Sequence, residues 1–214
     1  MFVDRLDAAR GLADALVAWR DKKALVLAIP RGAVPMGAAL AESLNADLDV
    51  VLVRKLGAPW QPEYAVGAID ETGWSFISDP SAADEDYLKA ERERQLERLQ
   101  QRRRMYSPGR APIDPHGRVV IVVDDGLATG ATMIAALHSV RSQSPQRLIC
   151  AVPVAAPESL KKVEPYADEV VCLSAPSAFR AVGQFYVNFN QVEDDEVVAC
   201  LERFRGKRGG TVAE

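Results

Sequence analysis

Histidine is almost missing from this 214-residue chain: His116 and His138 are the only two. A histidine-rich metal centre is therefore excluded. Each of the two reads as a surface or helix-end polar residue. Cysteine is equally scarce. Cys150, Cys172 and Cys200 are odd in number, far apart and without a C-x-x-C pair. That pattern fits reduced thiols rather than a disulfide framework or a zinc site. No apolar run approaches the roughly 18 residues that a membrane span requires. The first twenty residues carry Asp4, Asp7 and Asp14 where a secretory leader needs an unbroken apolar core. A cytoplasmic protein with no membrane partner is the expectation. A basic excess is lacking too: 26 Lys and Arg face 30 Asp and Glu, a net charge of −4. The molecule has no field for bulk nucleic-acid binding, so nucleic acid is not expected as a partner beyond a local patch.

Several motifs are absent as well. No G-x-S-x-G nucleophile turn occurs. Gly32 and Gly37 have the glycine spacing of a P-loop, but Ala38 stands where Lys is required, and no G-x-G-x-x-G follows a strand. Internal repeats and low-complexity stretches are also missing. The composition that remains, 48% hydrophobic and 26% charged, is ordinary for a soluble globular chain, and the length suits one α/β domain.

Apolar spacing predicts the elements. Leu6 to Trp19 has a helical stripe (Leu6, Ala9, Ala13, Leu16, Val17). Ala24 to Ile29 reads as a buried strand that stops at Pro30-Arg31-Gly32, Pro35 to Leu44 as a helix and Asp47 to Val53 as a second strand. Prolines punctuate residues 57 to 115. Within that stretch, two short strands are expected between Ala65 and Ile77, around Glu71-Thr72-Gly73. A charged helix is expected from Ser81 to Tyr106, with acids at its start, Arg102-Arg103-Arg104 at its end and a thin stripe of Tyr87, Leu88, Leu96 and Leu99. Its arginines read as a solvated face. Arg118 to Val123 is the strongest strand signal. A helix over Ala131 to Val140, a strand over Arg147 to Val152, a helix over Ala156 to Val163 and a strand over Asp168 to Leu173 follow. Ser174 to Gln191 is irregular and aromatic-rich, Glu193 to Phe204 helical, and 206 to 214 a tail. Alternating strands and helices imply an α/β fold with an open, mostly parallel sheet flanked by helices.

One segment carries chemistry: Val120-Ile-Val-Val-Asp124-Asp125-Gly126-Leu-Ala-Thr129-Gly130-Ala-Thr132. A buried strand delivers two adjacent acids at its carboxyl end, where ligands of open α/β sheets bind. A small-residue turn then opens a helix, whose N-terminal N–H groups suit a phosphate. Two acids beside a phosphate would repel it, unless they bind another part of the same ligand, such as a sugar diol or a divalent metal.

This segment resembles the 5-phosphoribosyl-1-pyrophosphate (PRPP) signature of the type I phosphoribosyltransferases, and its Asp-Asp-Gly-Leu-Ala-Thr-Gly-Ala-Thr-Met form is closest to the adenine variant. The likeness runs from about residue 24 to 132, and more loosely to about 190. It implies a single domain over 1–205 with a core at about 20–173. A flexible loop and helical insertion would span about 54–116, and a small hood would form from the N-terminal helix and about 174–204. It implies that Asp124 and Asp125 hold the ribose hydroxyls, that Ala128, Thr129, Gly130, Ala131 and Thr132 wrap the 5-phosphate, and that Arg31 and Gly32 form the pyrophosphate loop. Arg54 and Lys55 would open the flexible catalytic loop and help to neutralise pyrophosphate. Glu63 would help to handle the base, and Phe185 or Tyr186 would stack on it unless these aromatics are the hood's own core. Mg²⁺ would be held mainly through PRPP, with Asp124 and Asp125 near it.

The implied reaction is Mg²⁺-dependent transfer of the phosphoribosyl group to a nitrogenous base, by a dimer of the kind usual in the family. The rival reading is a PRPP-sensing regulator or partner-docking protein with little transferase activity. Two departures stand out. Ala128 replaces the Asp that serves as general acid/base in 6-oxopurine members, and the charged helix of 81–106 exceeds what adenine-type enzymes carry there.

Overall fold

The β-branched run Val119–Val123 forms strand β6, fully buried at the middle of a five-stranded parallel sheet. The computed structural model describes residues 1–205, with Glu63 and Arg205 described by their backbone alone. The tail expected at 206–214 lies outside the described residues. The sheet order is β2 (Asp47–Val50), β1 (Leu25–Ala28), β6, β7 (Arg147–Val154) and β8 (Glu169–Ser174). Register runs Ala28↔Val123↔Ala151 across the centre, which brings the carboxyl ends of β1, β6 and β7 to one edge.

Alternation splits the sheet residues between two apolar layers. Val26, Ala28, Ile121, Val123, Ile149 and Ala151 pack on one face with α1 (Arg5–Ala15), α2 (Val34–Leu44) and α6 (Asp194–Arg205). Leu27, Val120, Val122, Leu148, Cys150 and Val152 pack on the other with α4 (Ala131–Ser142) and α5 (Pro157–Val163). Thus α1 and α6 are layers of the core and not parts of a separate hood. Phe2 and Val3, ahead of α1, join the hood segment through backbone hydrogen bonds with Phe185, Val187 and Asn188, and Arg5 at the start of α1 reaches it through its side chain.

The stretch expected as a flexible loop and helical insertion holds a second, antiparallel sheet: β3 (Val53–Ala58), β4 (Gln61–Asp70) and β5 (Ser75–Ile77). Leu56, Ala58, Val66 and Ile69 are buried against α3 (Glu85–Tyr106). The opposite face meets α4, where Ser139 donates to Asp70 Oδ2 (2.6 Å) and His138 packs among Trp74, Phe76 and Tyr166. His138 is therefore half-buried in an aromatic nest rather than a surface residue. The strand expected over 47–53 ends at Val50, because Leu52 already accepts from Glu71 N and the chain passes into the second sheet.

Helix α3 starts at Glu85, with Asp84 capping it by accepting from Tyr87 N. Its buried stripe includes Leu88, Glu91, Gln95, Leu99, Arg103 and Tyr106, so polar residues supply half of it. Arg103 is not on a solvated face. It donates to both oxygens of Glu71 (2.5 Å each), to Asp49 Oδ1 (2.7 Å) and to the Val50 carbonyl (2.9 Å). This network fastens α3 and the small sheet to the edge of the main one. Among the described residues no helix is long and apolar enough to cross a membrane.

Candidate active site

The chain leaves β6 at the sheet's carboxyl edge and turns through Asp124–Gly130 into α4. Asp124 and Asp125 are both half-buried there. Burial and the neighbouring Asp125 carboxylate push Asp124 well above the ordinary carboxylate range. The Asp125 N–H, 2.9 Å from Asp124 Oδ1, works against that rise. Burial also raises Asp125, and the Arg5 guanidinium opposes it.

Arg5 is the site residue that sequence reasoning missed. It stands at the start of α1, and its Nε and Nη2 both lie 2.9 Å from Asp125 Oδ2. Its Nη1 donates to the Asn190 carbonyl (2.7 Å), and its guanidinium lies 4.0 Å over the centre of the Phe189 ring. No local pattern in the sequence marks it, since its partners are 120 and 185 residues away.

The loop after Asp125 is pinned from three sides. Leu127 exchanges backbone hydrogen bonds with Val154 and Ala156. The Ala128 carbonyl accepts from Ser159 Oγ at 2.7 Å. Tyr186 is buried, and its hydroxyl donates to the Asp125 carbonyl (2.7 Å). Gly130 precedes α4 with φ of +78°, a conformation that favours glycine. Ala128 and Thr129 are exposed, while Ala131 and Thr132 are half-buried in the first turn of α4. Thr129 Oγ1 accepts from Ala131 N (3.5 Å) at this helix start, where the first-turn N–H groups have no partner within the helix.

Across the crevice, the loop after β1 places Gly32 directly against Asp125. A Cβ at Gly32 would stand 2.2 Å from Asp125 Oδ2. Arg31 pairs with Glu193 (3.1 Å) and lies 3.8 Å from Asp194, ahead of and at the start of α6. The structure therefore brings Arg31, Gly32, Asp124, Asp125 and residues 128–132 to one edge. It does not bring Arg54 or Lys55 into contact with the acidic pair. Arg54 on β3 turns to α3, and Lys55 is exposed. Phe185 packs on Phe179 (centroids 5.1 Å apart) and against the main core, and Tyr186 is enclosed by Phe2 and Phe189. Phe185 and Tyr186 thus belong to the packed core of this segment, with Phe185 half-buried. The side chain of Glu63, on β4, lies outside the described residues.

A five-stranded parallel sheet with paired acids and a helix N-terminus at its carboxyl edge defines an open α/β protein whose candidate site lies where such sheets bind their ligands. The sequence matches the family described as phosphoribosyl transferase domain over residues 3–190, and the chain belongs to that family. It is 45% identical over 207 residues to a protein of Mycobacterium tuberculosis, found in strains CDC 1551 / Oshkosh and ATCC 25618 / H37Rv, whose name assigns it provisionally to the phosphoribosyl transferases. That match covers 95% of this chain but 47% of the relative, so the chain spans about half the length of the curated relatives it matches. A solved structure, TT1426 from Thermus thermophilus, superposes with a TM-score of 0.85 at 42% identity, covering 95% of this chain and 98% of that one.

Proposed function

We propose that this chain transfers the 5-phosphoribosyl group of PRPP to a nitrogenous base and releases pyrophosphate. The observation that carries the reading is the pair Asp124 and Asp125 standing beside the opening turn of α4. A carboxylate pair suits the ribose 2′- and 3′-hydroxyls, and the turn over 128–132 suits the 5-phosphate. In the reaction the C1–O bond to pyrophosphate breaks, a C1–N bond forms, and the base gives up its N–H proton. Positive charge grows on the ribose in the transition state, and Asp124 and Asp125 would stabilise it. Arg31 would face the departing pyrophosphate, with Gly32 letting the loop backbone approach Asp125.

Mg²⁺ fits this site as a shared ligand. Among the described residues no group of three or more His, Cys, Asp or Glu could hold an ion by itself. Two carboxylates plus substrate phosphate oxygens match the coordination that Mg²⁺ prefers. When bound, it would neutralise pyrophosphate charge. The motif's adenine-type form and Ala128 favour a base other than a 6-oxopurine.

The deciding experiment is pyrophosphate release from PRPP and Mg²⁺ with a panel of purines, pyrimidines and small amides, for the wild type and Asp125→Ala. Base-dependent release that Asp125→Ala abolishes supports the reading. Tight PRPP binding without release with any base favours the PRPP-sensing alternative, and no PRPP binding removes both.

A further inference from the structure

The chain is acidic overall, yet three arginines gather around one open cavity of about 430 Å³ between β3 and α3. Arg54 comes from the strand face turned to the helix. Arg98 and Arg102 are one turn apart on α3, and Gln101 and Met105 complete the lining. Arg54 and Arg102 are half-buried, and Arg98 is exposed. Among the described residues none of the three has a carboxylate within ion-pair distance. The contrast with Arg103, their neighbour on the same helix, is direct, since it has two carboxylates. Among the described residues, the partner of Arg102 is the Tyr106 ring, 6.0 Å from its guanidinium carbon. The acid that acts on Arg54 is Glu91, and its oxygens are already held by Arg94 and Gln95. Burial, then the like charges of Arg102 and Arg98, depress Arg54 below the usual guanidinium range.

Uncompensated like charges around a cavity are unfavourable until an anion enters, and guanidinium forks match phosphate oxygens bidentately. We infer that Arg54, Arg98 and Arg102 form a pocket for the phosphate of a small molecule, separate from the turn at 128–132. A small ligand is favoured over a nucleic acid. The same helix carries Glu85, Asp86, Glu93 and Glu97, which repel an extended polyanion. A run of contacts also leads from this helix to Arg31. Tyr106 donates to Asp194 (2.5 Å), and Asp194 lies 3.8 Å from Arg31. A phosphorylated acceptor and a phosphorylated effector share this chemistry.

The test is a calorimetric titration of inorganic phosphate, and separately of glycerol phosphate, into the full chain and into the Arg98→Ala/Arg102→Ala variant. Both positions are on a helix surface, and a thermal melt verifies that the variant folds. The expected result is binding that weakens roughly tenfold or more in the variant, is partly restored by Arg98→Lys/Arg102→Lys, and persists at saturating PRPP and Mg²⁺. Tighter binding of glycerol phosphate than of phosphate marks a monoester ligand. A glycerol phosphate effect on the rate of pyrophosphate release without competition against the base marks an effector, whereas competition with the nitrogenous base that supports release marks the phosphate site of an acceptor. Three results overturn the proposal: equal phosphate affinity in both proteins, displacement by PRPP, or salt-dependent oligonucleotide binding through the same arginines without phosphate binding. Failure of the transferase reading appears instead as absence of PRPP binding in the wild type, which leaves the phosphate comparison intact.

Discussion

Arg5 and Asp125, 120 residues apart, meet through a single carboxylate oxygen: Nε and Nη2 of the arginine both lie 2.9 Å from Oδ2. The arginine contacts Oδ2 alone, and in the proposed reading Oδ1 would accept from a ribose hydroxyl. It also reaches the hood through Phe189 and the Asn190 carbonyl, so the α1 start, the acidic pair and the hood share one cation. Arg5→Met removes a charge-assisted contact worth about 1.5–3 kcal/mol. PRPP affinity is expected to fall roughly tenfold or more, with partial recovery in Arg5→Lys. Calorimetric titration of PRPP with Mg²⁺ checks this, and unchanged affinity in Arg5→Met contradicts it.

Gly32→Ala tests the closeness of the two loops. The added Cβ meets Asp125 Oδ2 at 2.2 Å and Arg5 Nη2 at 3.2 Å. Either the loop after β1 or the Asp125 carboxylate must move, at a cost of about 1–3 kcal/mol. PRPP binding should be lost while the thermal transition stays cooperative. An alanine variant with full affinity would show that this contact plays no part in the ligand site.

Arg103 tests the fastening of α3. Removing it by Arg103→Met leaves Asp49 and Glu71 buried without their counter-charge, which costs about 3–5 kcal/mol. The denaturant midpoint should drop accordingly. Adding Asp49→Asn and Glu71→Gln to Arg103→Met should recover part of the loss, because the stranded charges are then gone.

His138 predicts a pH dependence. Its burial among Trp74, Phe76 and Tyr166 depresses its pKa below the ordinary value of 6.5. The unfolded chain therefore binds the proton first as pH falls below about 6.5, and stability is lost in that direction. His138→Phe should flatten this part of the stability profile. Urea unfolding of both proteins at pH 7.5 and pH 5.5 measures it, and identical slopes in the two proteins would refute it.

Local signals located much of this molecule. The continuous run Val119–Val123 can only be a central strand, because every residue in it is apolar on both faces. The acids and small residues that follow announce a ligand-binding turn by the same short-range logic. Asp84 and the apolar spacing of Leu88 and Leu99 point to α3, although its other buried members, Glu91, Gln95 and Arg103, break the apolar pattern. The small sheet was only partly legible. Its β4 and β5 carry strand-like residues, but β3 is interrupted by Arg54, Lys55 and Gly57 and is held by pairing with β4.

The sequence by itself determined the alternation of strands and helices, the position of the acidic pair and the family to which the chain belongs, since these rest on periodicity and adjacency over a few residues. Tertiary structure alone decided that Arg5 serves Asp125, that Arg103 is buried while Arg102 lines a cavity, and that residues 53–77 form a packed sheet. The reason is physical. A charged side chain has no preferred partner until packing sets its desolvation and brings a distant counter-charge within hydrogen-bonding reach.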